Sequence, residues 1–362
     1  MNKLACSIPL LFLGGCAFEL AERPAPEDGG GVELDAAYGP DAVGLDVAAA
    51  SSSDAGRDAA LAALDAPARP DATAQDAAVP GPPLPTRRAG LWLSPWALDR
   101  RSPAQWAADI AGVSYASAAP TRAIVVLSIC GAASEGISQC RFPRPASVPA
   151  YEHVSFDATD HVGPILDELD RRGDIDVILD VEPMQAHVSE LMHVAMEAFG
   201  ARPSVVGFTP DWEWIHGDGD RGAHLEGWAR ELEGHRPGLE LHLISWEASV
   251  FGPHREDGFS FGYDGQSFDP GRSQTPESNL AAQLRTFAGW SDAFVGHHTG
   301  WYWGYATDGW WTTHFTRDAA SLRALQDEYL ALAPDATLLL ATEDPFFDVI
   351  ETILPAAPMW ER

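Results

Sequence analysis

From residue 87 onward, short apolar runs alternate with stretches of helical periodicity. The apolar runs cover 90–93, 123–129, 176–181, 205–208, 239–245, 259–262, 293–296 and 337–341. They are rich in Val, Ile, Leu and Phe and are bounded by Gly, Pro or Asp, the pattern of strands buried on both faces. Helix entries and exits lie between them. Ser102-Pro103-Ala104-Gln105 carries a Ser N-cap, Pro at the first helical position and Gln at the third, a reciprocal capping arrangement. Thr275-Pro276-Glu277 repeats the entry signal, and a helix over 189–199 is expected to end with Gly200 in the left-handed conformation. A last helix starts near Thr316 and stops before Pro334. Eight strands alternating with helices predict an α/β fold, a (β/α)8 TIM barrel over 87–362. The open doubly wound sheet is the alternative, but the chain holds no Gly-rich dinucleotide fingerprint and no P-loop.

The first 86 residues break this pattern. Lys3 followed by the apolar run 8–13 is too short to span a bilayer and reads as a signal peptide over 1–15. Its end, Leu13-Gly14-Gly15-Cys16, resembles a bacterial lipobox, which implies lipidation of Cys16. Ala17 at the next position is not the Asp that retains lipoproteins in the inner membrane, so the expected place is the bacterial cell envelope, at the outer membrane or cell surface. Residues 17–86 hold 13 acidic and 3 basic side chains amid Ala, Pro and Gly. Such a composition cannot offset its ordering entropy. The segment 16–86 is therefore expected to be a disordered tether of about 45 Å root-mean-square span, with the membrane reached through the lipid alone.

Charge and cysteine content narrow the function. The formal net charge of the 362 residues is −30, and phosphate backbones need a cationic surface, so nucleic acid is excluded as a partner. Of the four cysteines, Cys6 falls in the signal and Cys16 in the lipobox, leaving Cys130 and Cys140 to pair in an exported protein. No third thiol remains to build a thiolate metal site. No metal or cofactor is expected, and the protein is expected to be a monomer.

A barrel places its chemistry at the C-terminal strand ends and the loops just beyond. Those positions hold Trp92, Ser94 and Trp96; Ser128; Asp180 and Glu182; Asp211, Trp212, Glu213 and Trp214; Trp246 and Glu247; Tyr263 and Asp264; His297 and His298; Trp301 and Trp303; and Glu343. Residues i and i+2 of a strand share a face. Asp180 and Glu182 therefore point together, as do Asp211 and Glu213. If those strands are neighbours, four carboxyls meet and at least one must hold its proton more tightly. A carboxyl protonated near neutrality is the general acid that glycoside hydrolysis requires. Trp92, Trp96, Trp212, Trp214, Trp246, Tyr263, Trp301 and Trp303 offer aromatic faces for sugar rings, and Asp264 offers a hydroxyl acceptor.

The stretch Val206-Gly207-Phe208-Thr209-Pro210-Asp211-Trp212-Glu213 resembles the fourth-strand motif of chitinase-like enzymes, glycoside hydrolase family eighteen. Gly207, Asp211 and Glu213 match, while Val206 and Thr209 replace two acids of the motif. Tyr263-Asp264 is similar to the family's sixth-strand pair, and Ser128-Ile129-Cys130-Gly131 partly matches its Ser-x-Gly-Gly element, one strand early. Leu340-Ala341-Thr342-Glu343 stands where the family has a Trp. The resemblance covers these short motifs only. It implies Glu213 as general acid and Asp211 as the group orienting a substrate N-acetyl nucleophile. A second arrangement uses Glu213 as acid with Glu182 or Glu247 as nucleophile or base.

The sequence thus predicts a surface-tethered glycoside hydrolase acting on a neutral or amino-sugar polysaccharide. The alternative is a non-catalytic carbohydrate-binding lipoprotein on the same scaffold. A metal-dependent hydrolase using His297 or His298 is weaker, because adjacent strand residues face opposite sides and no His-Glu-x-x-His occurs. Ser/His/Asp catalysis lacks its Gly-x-Ser-x-Gly turn.

Overall fold

The computed structural model describes residues 87–116, 121–134, 136–211, 221–254, 258–264, 276–303, 324, 327–329, 331 and 336–341. Cys16, Trp212, Glu213, Trp214 and Glu343 lie outside them, as does most of the helix expected near Thr316. The strands are β1 (Arg88–Leu93), β2 (Arg122–Ser134), β3 (Ile137–Cys140), β4 (Val154–Phe156), β5 (Ile175–Val181), β6 (Val205–Pro210), β7 (Glu240–Ser245), β8 (Phe259–Asp264), β9 (His298–Trp303) and β10 (Ala336–Ala341). The helices are α1 (Pro103–Ala116), α2 (Gly163–Arg172), α3 (Val188–Phe199), α4 (Arg221–His235) and α5 (Pro276–Ala293).

Eight strands pair in parallel in the order β1, β2, β5, β6, β7, β8, β9, β10, and β10 pairs again with β1. The topology is TIM-barrel-like. Alternation along each strand divides the side chains into two sets. Leu91, Val125, Leu127, Val177, Leu179, Phe208, Leu243 and Phe261 turn outward into a large apolar layer shared with the helices. Trp92, Ile124, Val126, Ile178, Tyr302 and Leu339 form a smaller cluster on the other face, inside the ring. Between β7 and β8 stands a 3-10 turn, Ala248–Phe251, whose Phe251 packs against Phe261, Trp290 and Phe294.

The predicted caps are present at α1, where Gln105 Oε1 accepts the Ser102 N–H at 2.9 Å and Ser102 Oγ accepts the Gln105 N–H at 3.4 Å. Gly200 departs from expectation. It follows α3 at φ −60°, in right-handed rather than left-handed geometry. Its requirement for glycine is a close approach, since a Cβ there would lie 2.7 Å from the Met196 carbonyl oxygen.

Two further departures matter for the site. The stretch 293–296 is the end of α5 and a turn, not the seventh strand. Phe294 is buried because it stacks on Phe261 at 4.0 Å from the helical side, and helical packing produced the apolar run. The strand is β9, whose inward residues His298, Gly300 and Tyr302 form no run of aliphatic side chains. His297 and His298 consequently stand at the start of β9, away from the mouth. The second departure is an excursion after β2, which continues past the ring into an antiparallel hairpin with β3, to which β4 adds in parallel. Cys130 and Cys140 are paired across this hairpin as a disulfide, Cα to Cα 3.9 Å.

Candidate active site

Four consecutive strands of the ring carry the candidate chemistry. Trp92 on β1, Ser128 on β2, Asp180 on β5 and Thr209 on β6 sit on inward positions, with Ser128 registered against Asp180 and Asp180 against Thr209. The Asp180 carboxylate is 1% exposed. Its Oδ2 accepts the Trp92 indole N–H at 3.1 Å and the Ser128 hydroxyl. Its Oδ1 and the Thr209 hydroxyl are buried without a hydrogen-bond partner among the described residues. Burial raises the Asp180 pKa to about 6, and hydrogen bonding from Ser128, Trp92 and the Val181 backbone offsets only part of that rise. One carboxyl of the expected cluster thus holds its proton more tightly than usual, and the leading cause is burial, not crowding by like charges.

One level nearer the mouth, Glu182 is half-buried and its Oε2 accepts the Ala132 backbone N–H at 2.6 Å. Asp211 follows β6, half-buried, with its own N–H bonded to the Val181 carbonyl at 2.8 Å. Asp264, at the inward-facing end of β8, is 4% exposed. The structure thus brings Asp180, Glu182 and Asp211 to adjoining strand ends. Glu247 is exposed at the start of the 3-10 turn after β7, where its Oε2 accepts the Ser249 hydroxyl at 3.4 Å.

The aromatic residues divide into three groups. Trp96 after β1 and Trp246 after β7 are 51% and 45% exposed. These strands stand four places apart in the ring of eight, on either side of β5 and β6, which carry the acids. The Arg141 guanidinium lies over Trp96 at 5.5 Å, a cation–π contact on one face. Trp92 was expected as a sugar platform but is a floor residue, 9% exposed, whose N–H serves Asp180. Tyr263 and Trp301, expected at the mouth, face the opposite way. They stack on each other at 4.8 Å, and Phe287, Trp290 and Tyr329 pack around them behind the sheet. The reason is parity: Gly262 and Tyr302 take the inward positions, so Tyr263 and Trp301 must point outward. Trp303 is the last residue of β9.

A second polar group lies inside the ring toward the N-terminal strand ends. Arg88 donates to both oxygens of Glu240 at 2.8 and 2.9 Å and to Thr337 Oγ1 at 3.0 Å. Burial alone would raise the Glu240 pKa, but the Arg88 charge and hydrogen bonds bring it to about 2. Burial lowers His242 to about 4, with the Glu240 charge opposing, so the ring is neutral at pH 7. Ser260 donates to Glu240 and so must accept from His242 Nδ1 at 2.6 Å. The bare Nε2 then accepts the Tyr302 hydroxyl at 2.8 Å. This chain was missed at the sequence level. The signal was present in Glu240-x-His242, Ser260-x-Gly262 and His298-x-Gly300-x-Tyr302, polar or small residues at every second strand position.

Among the described residues no group of three His, Cys, Asp or Glu side chains gathers as a metal site. None of the described helices is long and apolar enough to cross a membrane.

No protein-family model matches the chain, and no curated protein matches it. Among solved structures it is similar to a GH29 α-L-fucosidase from Bacteroides thetaiotaomicron, at 12% identity and TM-score 0.38, covering 70% of this chain and 66% of that chain. It is also similar to a 4-O-α-L-rhamnosyl-β-D-glucuronidase from Fusarium oxysporum 12S, at 10% identity and TM-score 0.41, covering 74% and 69%. A third similarity is to 7,8-dihydropteroate synthase from Vibrio fischeri ES114, at 10% identity and TM-score 0.34, covering 75% and 92%. At TM-scores of this size the likeness assigns neither a family nor an activity.

Proposed function

We propose that this protein is a carbohydrate-active hydrolase whose site occupies the C-terminal mouth of a closed (β/α)8 barrel. The observation that carries this reading is the acid cluster at adjoining strand ends, with a buried Asp180 at a pKa of about 6 beneath Glu182 and Asp211. Exposed Trp96 and Trp246 flank it and suit the apolar faces of sugar rings. Glu213, two residues beyond Asp211, is the proposed general acid; Asp211 and Glu182 are the proposed orienting or nucleophilic carboxylates. Asp180 holds or releases a proton beneath them near neutral pH. The domain from Arg87 carries 40 acids against 19 bases, which favours a neutral or amino-sugar glycan over an acidic one. In this reading the chain is exported, lipidated at Cys16 and held at the cell surface by its acidic tether.

The test is turnover of a panel of soluble and insoluble glycans by the full chain and by Glu213→Gln and Asp180→Asn. Release of reducing ends by the native protein, with a loss of about a hundredfold or more in Glu213→Gln, supports the reading. Binding without turnover in all three forms rejects it in favour of a carbohydrate-binding protein. The 1% exposure of Asp180 beside exposed Trp96 and Trp246 is the observation that favours that second reading.

A further inference from the structure

The hairpin that leaves the ring after β2 touches the loop that follows β5 at three points. The Glu182 N–H donates to the Cys130 carbonyl at 3.0 Å, the Ala132 N–H donates to Glu182 Oε2 at 2.6 Å, and the Gln185 N–H donates to the Gly136 carbonyl at 3.1 Å. Register explains why the Ala132 amide is available. Cys130 opposes Cys140 and Ala132 opposes Ser138, and a Cα separation of 3.9 Å at the cysteines marks a pair without mutual backbone hydrogen bonds. Two residues on, Ala132 is again such a pair, so its N–H turns away from β3 and toward β5. The hairpin tip turns at Gly136, at φ 85°. The clamped loop is strained: Met184, two residues after Glu182, has φ 54°, the one positive value among the described residues other than glycine. A bulky residue holds that conformation only when its surroundings over-determine it.

We propose that the Cys130–Cys140 disulfide is a positioning element for the candidate site: it fixes the hairpin as a clamp that holds the strained loop and sets the Glu182 carboxylate. Both cysteines are fully buried, so the bond acts as a permanent pin and not as an exchangeable redox switch. A cross-link between paired strands removes the shear and fraying that would carry the Ala132 amide away from Glu182. The consequence for catalysis rests on the hydrolase reading above; the clamp itself does not.

Two readouts on the full chain separate these claims. In Cys130→Ala/Cys140→Ala, amide hydrogen exchange at Glu182 and Gln185 accelerates about tenfold or more, while the amides of β6 and β7 keep their protection. Ala132→Pro gives the same local acceleration with the disulfide intact, because proline removes that N–H and breaks no β2–β3 ladder bond. Unchanged exchange at Glu182 and Gln185 in both variants overturns the clamp and leaves the hydrolase reading standing. On whichever glycan the native chain cleaves, the double cysteine variant lowers kcat about tenfold with KM little changed. In a Glu182→Gln background the same cysteine changes lower kcat no further. An equal further loss in that background overturns the positioning role. Should the native chain cleave no glycan, the hydrolase reading fails, and exchange alone decides the clamp.

Discussion

Replacing Asp180 by Asn should stabilise the protein at alkaline pH and leave it no more stable at acid pH. Asp180 is 1% exposed and its pKa is raised from 3.8 to about 6, with burial the leading cause. The folded chain therefore binds this proton more tightly than the unfolded chain. The stability contributed by the group is fully present below 3.8 and is lost as pH rises through about 6. At 1.36 kcal/mol per pKa unit, holding the ionised carboxylate folded at pH 8 costs about 3 kcal/mol. Asparagine cannot ionise, and its carbonyl can accept the Trp92 N–H and the Ser128 hydroxyl that now meet Oδ2. The variant should unfold about 5–10 °C above the native protein at pH 8. The gap should narrow below pH 6 and close near pH 4. Thermal unfolding of both proteins across pH 4–8, followed by intrinsic fluorescence, measures this directly. An Asn variant less stable at pH 8, or an offset that does not change with pH, would refute the assignment of Asp180 as a buried group whose charge is poorly compensated.

The charge at the other end of the ring should behave in the opposite way. Glu240→Gln leaves Arg88 buried without its carboxylate and should cost about 3–5 kcal/mol at pH 7 in chemical denaturation. Because the Glu240 pKa is lowered from 4.5 to about 2, that difference should be full above pH 4.5 and fall away as pH drops toward 2. Tyr302→Phe removes the donor to His242 Nε2 and should cost about 1–3 kcal/mol, since the bare nitrogen is left buried. Gly262→Ala should be more harmful than its size suggests, because the added Cβ would lie 2.7 Å from the Tyr302 ring and 2.9 Å from His242 Nε2; a thermal midpoint equal to native would contradict that packing. Trp96→Ala and Trp246→Ala should leave the midpoint nearly unchanged, since both rings are half exposed, yet each should weaken polysaccharide binding in affinity electrophoresis.

The strands were legible where their outward residues made apolar runs. The one misplaced strand, β9, carries His298, Gly300 and Tyr302 on its inward face, and the neighbouring helix end at Phe294 supplied a more hydrophobic decoy. The β3–β4 excursion was invisible because its short strands, Ile137–Cys140 and Val154–Phe156, hold too few residues to show a period. Strand-end position alone was enough to place Asp180, Glu182 and Asp211 at adjoining strand ends. The aromatic residues were less legible because position does not give parity: one residue of offset separates Tyr302 in the ring from Trp301 behind it.

Parity also brings out a distinction that composition hides. Inward polar residues at alternate positions produce both the Arg88–Glu240–Ser260–His242–Tyr302 chain and the Trp92–Ser128–Asp180–Thr209 group, so alternation cannot by itself separate a structural plug from a reactive site. Charge compensation distinguishes the two groups. In the first group the guanidinium meets the carboxylate and Ser260 donates to it as well, which brings the Glu240 pKa down to about 2 and fixes its charge at all physiological pH. In the second, among the described residues, no cation is hydrogen-bonded to Asp180, burial outweighs its hydrogen bonds, and the pKa rises to about 6. A buried acid held in that state destabilises the fold near neutrality, by about 3 kcal/mol once fully ionised, and packing gives no reason for it, since Asn could accept the same two hydrogen bonds without ionising. On the hydrolase reading proposed above, proton traffic at the mouth supplies a reason, with the chemistry on the β1–β6 half of the ring under Glu182 and Asp211.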